Sequence, residues 1–144
     1  MQPEEESLRG RIALGWVLLL LLVTIMLEFM TMSSILANDN FKLLRMDPGA
    51  QGLVMLVWVL GLFGVMPIYV HWVHGMRSRI PRWIAVVMGV LTFLYFLLHH
   101  LAHWAAGQRP DLTSHVFDLV FHLVALWVIV NSIRWAKFRR PDAA

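Results

Sequence analysis

The chain has 144 residues, is 59% hydrophobic, contains no cysteine and carries a formal net charge of +3. Soluble domains average roughly 45–50% apolar residues, so a single-domain integral membrane protein is expected, and the missing thiols exclude disulfides, thiolate metal sites and iron–sulfur ligation. The positive charge does not imply nucleic acid, because the basic residues cluster at the ends of apolar segments, where they act as topology signals and phospholipid contacts.

Four apolar stretches, near 12–36, 51–73, 83–106 and 112–135, each supply the roughly 20 helical residues that cross a bilayer core. They are long and continuous and lack the period-two alternation of a membrane barrel. The expected fold is all-α: an integral-membrane four-helix up-down-up-down bundle over 12–137, with a tail at 1–11 and a basic tail at 138–144. The first stretch follows a mixed flank, MQPEEESLRGR, and ends in Ile35-Leu36-Ala37, a poor cleavage site. It also exceeds the usual apolar region of a signal peptide, so it is read as a retained helix. It carries Glu28, flanked by Met26, Met30 and Met32. Thioethers are ligands for Cu(I) and equally ordinary apolar filling.

Asp47-Pro48 predicts the start of the second helix, where proline suits the first turn. Pro67 inside it should kink it, and Gly61 and Gly64 permit close backbone approach. Its end reads YVHWVHGMRSR. His71 and Gly75-Met76-Arg77 form an H-x-x-x-G-M-R string that resembles the haem-ligand segment of succinate dehydrogenase membrane anchors over seven residues. The resemblance implies a haem at His71 completed by a ligand from another subunit. Read from the residues alone, His71 and His74 are interfacial side chains beside arginines, reaching headgroups.

Pro81 predicts the start of the third helix, which ends in HHLAH (residues 99–103). That string resembles a histidine box of membrane desaturases and hydroxylases, families that use several boxes where this chain has one. In the fourth stretch, Asp111, His115, Asp118 and His122 are spaced by four, three and four residues. That spacing places all of them on one helical face.

Lys/Arg placement sets the expected topology. Arg9, Arg11, Arg77, Arg79, Arg82, Arg134, Lys137, Arg139 and Arg140 flank one side, against Lys42, Arg45 and Arg109 on the other. The positive-inside rule puts both termini in the cytoplasm and the protein in the inner membrane as a multi-pass chain. Glu28, His99, His100, His103, Asp111, His115, Asp118 and His122 then gather in the outer half of the bundle. Ionisable groups at membrane depth face a protein interior or a water-filled cavity, and are functional candidates by default.

Three readings follow. The first is a transition-metal site, zinc, copper or iron, because imidazoles and carboxylates at helical spacing suit those ions. His99, Asp118 and His122 are its expected ligands, and His103, His115 and Glu28 are further ligands or orienting partners. The second is a b-type haem held by His99 or His100 with His122, enclosed by Trp58, Trp104, Phe96, Phe117 and Phe121. The third is a structural subunit whose polar groups form a hydrated network or a proton path. No glycine-rich phosphate loop or nucleophile motif occurs. The expected role is a small subunit or accessory factor of a membrane redox or metal-handling complex, with the lipid bilayer and other membrane subunits as partners.

Overall fold

The computed structural model describes residues 3–36, 61–73, 78–105 and 112–138. Within them the chain forms four helices, α1 (Pro3–Leu36), α2 (Gly64–Trp72), α3 (Ile80–Ala105) and α4 (Leu112–Lys137). The Asp47-Pro48 start signal and residues 51–60 of the second apolar stretch lie outside the described residues.

The first helix starts at Pro3, nine residues ahead of the expected boundary at 12. Proline suits a first helical position, where no intrahelical donor is lost. Glu4, Glu5 and Glu6 then fill the first turn, where acidic groups complement the helix dipole. Along α1 the buried residues Leu8, Ile12, Trp16, Leu19 and Val23 form one stripe at spacings of four, four, three and four. The opposite face is apolar as well, with Leu14, Val17, Leu21, Ile25 and Phe29 exposed. A helix apolar on every side needs a hydrocarbon surrounding. α1, α3 and α4 are each long and apolar enough to cross a membrane. The chain is a membrane protein, and its outward apolar faces contact lipid.

Pro67 lies inside α2, and a wide π-type turn at 61–63 immediately precedes the helix. Proline offers no N–H to the carbonyl four residues back, and its ring crowds that carbonyl. Here that residue is Phe63, the last of the wide turn, so the proline falls where the regular ladder begins. α3 begins with the Ile80 amide donating to the Ser78 hydroxyl at 3.2 Å.

α4 is the hub, packed along both α1 and α3, while α2 rests mainly on α1. Glycines set the closest approaches. A Cβ built on Gly15 of α1 would lie 2.3 Å from Val128 Cγ2 of α4, and one on Gly89 of α3 would lie 3.1 Å from Ile129 Cγ1. Small residues at such crossings let backbones come together where lipid supplies no hydrophobic drive.

Candidate functional site

Polar groups concentrate at two ends of the bundle. At the end of α3 and the beginning of α4, His100 Nδ1 lies 2.6 Å from Asp118 Oδ2. A carboxylate oxygen accepts, so the imidazole donates through Nδ1–H; in the neutral ring the lone pair is then on Nε2. Both side chains are partly buried, at 22% and 32% exposure. His115 stands edge-on to His100, with ring centroids 5.9 Å apart, and meets Trp104 at the same separation. Trp104, one turn beyond His100 on α3, closes a triangle of rings.

Asp118 anchors a second imidazole. His122 Nδ1 lies 2.6 Å from the Asp118 main-chain carbonyl. A carbonyl also only accepts, so His122 too carries its hydrogen on Nδ1. Its Nε2 is buried and has no hydrogen-bond partner among the described residues. The ring packs edge-on against Phe93, at 5.2 Å and 89°. One aspartate therefore holds two histidines, by side chain and by main chain, each through its Nδ1–H.

The other expected ligands are placed differently. His99 is exposed and stacks on Tyr95 of its own helix at 6.3 Å. Glu28 is exposed on α1. A hollow of about 20 Å³ beside Asp118 is lined from α1 by Leu22, Val23 and Met26. Glu28 stands five residues past Val23, well off the buried stripe at 100° per residue. Asp111 and the side chain of His103 lie outside the described residues, as does Trp58. Among the described residues, no three His, Asp or Glu side chains converge at metal-binding distance.

The opposite end holds a network that charge counting missed. Arg82, at the start of α3, pairs with Glu5 of α1 at 3.1 Å. That pair uses Nη2, and Nη1 donates to the carbonyls of Trp135 at 3.4 Å and Phe138 at 3.1 Å. The guanidinium also sits 5.7 Å from the Trp135 ring centre. Arg9 of α1 donates to the carbonyls of Val70 and His71 at 3.2 and 3.1 Å. Two arginines thus donate to main-chain carbonyls at the C-terminal ends of two other helices, where intrahelical donors run out; the Trp135 carbonyl also accepts from the Phe138 amide at 3.2 Å. Arg9 Nη2 also lies 3.3 Å from His71 Nδ1. Arginine only donates, so His71 accepts through Nδ1 and carries its hydrogen on Nε2, the reverse of His100. His74 and Gly75-Met76-Arg77, the remainder of the anchor-like string, lie outside the described residues.

Helical periodicity carried the missed signal. Glu5 precedes buried Leu8 and Ile12 by three and seven residues, and Arg82 precedes buried Ala85 and Val86 by three and four. Both therefore sit on core faces.

Comparison with protein-family models, with curated proteins and with solved structures found no match to this chain.

Proposed function

We propose that this chain is a four-pass inner-membrane subunit or accessory factor that binds a transition metal ion at the outer end of its bundle. The observation carrying this reading is the double anchoring by Asp118 through Nδ1, which leaves Nε2 as the nitrogen that each neutral ring would offer to an ion. A carboxylate or carbonyl on the far ring nitrogen is the usual means by which a protein fixes a metal-ligating imidazole. His100 and His115 are the ligands best placed to share an ion. His103, three residues beyond His100 on α3, joins them on helical spacing alone. Asp118 orients His100, and His122 presents its lone pair one turn deeper. The imidazole set suits zinc, copper or iron.

An up-down-up-down order with both termini cytoplasmic accompanies this reading. It is supported by the Lys/Arg asymmetry and by the contacts of Arg9 and Arg82. Those contacts gather the starts of α1 and α3 with the ends of α2 and α4.

Metal analysis of detergent-purified protein is the direct test, with an optical spectrum beside it for haem. Haem fits the packing less well. Phe96 and Phe121, two of the rings expected around a macrocycle, have centroids 4.0 Å apart, and the hollow beside them is about 20 Å³. That hollow supports a second reading, a proton path. It accommodates about one water beside Asp118, which already bonds His100. Protein that binds no metal, yet changes proton flux when Asp118 is replaced, would favour this alternative.

A further inference from the structure

The α1–α4 seam is closed where Gly15 meets Val128 and opens toward the beginning of α1 into a groove of about 500 Å³. Three cations line it, Arg11 from α1 and Arg134 and Lys137 from α4, against one acid, Glu4. Arg11, Arg134 and Lys137 are all exposed, unlike Arg9 and Arg82, which are buried in the network described above. Ser7 adds a hydroxyl, and Leu8 and Phe138 supply apolar wall.

We infer that this groove binds the phosphate of an anionic phospholipid. The charge is complementary: three cations around one acid leave a net positive site facing the headgroup layer. Basic recesses between membrane helices are suited to acidic headgroups for this reason. The neighbouring surface fits the rest of the lipid. One turn beyond Arg11 toward the middle of the bundle, α1 exposes Leu14; beyond Arg134, α4 exposes Val130 and then Trp127. Acyl chains lying along the seam meet these apolar side chains while the phosphate sits among the cations. A soluble phosphate would use only the polar half of this surface.

The test is lipid retention by the delipidated full-length protein, titrated in detergent with phosphatidylglycerol or phosphatidylethanolamine and read by native mass spectrometry. Wild type should prefer phosphatidylglycerol. Each cation near a headgroup contributes about fivefold, so R11Q/R134Q/K137Q should lose about a hundredfold. R11Q alone should lose about fivefold, whereas R79Q, which removes an exposed charge outside the groove, should change little. Equal losses from R11Q and R79Q would mean unspecific charge attraction and overturn the site. The charge-preserving R11K/R134K/K137R should retain the lipid; loss equal to that of the neutral triple variant would trace the effect to packing and also overturn it. Inorganic phosphate at equal concentration should fail to displace the lipid. Displacement would sink the lipid assignment.

Discussion

Glu5 and Arg82, 77 residues apart in sequence, meet at 3.1 Å with side chains only 2% and 5% exposed. Removing one partner of a buried ion pair costs about 3–5 kcal/mol. E5Q should therefore lower the unfolding midpoint in detergent. R82Q should lower it further, because it also forfeits the bonds to the Trp135 and Phe138 carbonyls. An R82Q protein that unfolds together with wild type would refute the clamp.

The helix crossings make a second, independent stability prediction. At Gly15 an added methyl meets Val128 Cγ2 at 2.3 Å, and Val128 is fully buried and stiff at its branched Cβ. G15A should cost about 1–3 kcal/mol, typical of overpacking. At Gly89 the nearest atom is Ile129 Cγ1 at 3.1 Å, so a small side-chain shift absorbs most of the strain. Thermal unfolding should rank G15A below G89A, and the reverse order would contradict the packing.

The helical class and three helices long and apolar enough to cross a membrane were legible because continuous apolar runs leave few alternatives in a bilayer. α3 and α4 begin and end within three residues of their expected bounds. The rotation of each helix was harder to see. His99 and His103 share a face by spacing, which made His99 the natural ligand. The face of α3 that packs inward runs through Ala85, Gly89, Thr92 and Phe96, at spacings of four, three and four. Extended by one more turn, it reaches His100, which bonds Asp118. Arg9 and Arg82 read as topology charges, and Glu5 only as part of a mixed flank, because a sequence gives no sign of which carbonyls they will meet. Those contacts arise only once the ends of α2 and α4 are brought beside α1 and α3. The tautomers of His100 and His122 likewise depend on acceptors that only the folded chain supplies.

Topology rests on charge placement and is separately testable. Nine Lys/Arg residues flank one side of the spans and three the other. Reporter fusions at Ala144 and within Arg77–Arg82 should read cytoplasmic, and a fusion at Gly107 should read outside. An external reading at Ala144 would invert the bundle and move the His100–Asp118 pair to the cytoplasmic half.

Asp118 carries the most exposed prediction, because one residue holds two imidazoles through the same ring nitrogen. H100A should remove most bound zinc, copper or iron. H71A, at the opposite end and in the reverse tautomer, should leave it intact. D118A removes the carboxylate but keeps the main-chain carbonyl that holds His122, so only the His100 anchor is lost. The expected effect is the 10–100-fold weakening typical of losing an orienting partner, about 1.4–2.7 kcal/mol. D118N retains an acceptor for the Nδ1–H without the charge, and should fall between wild type and D118A. Ligating imidazoles must be unprotonated, so occupancy should decline as acid is added and recover on return to neutral pH. Metal bound equally by wild type and H100A would place the ion elsewhere. Wild-type protein that takes up none of the three metals would leave the Asp118–His100 pair as a proton-transfer station, with the hollow beside Asp118 as its water site.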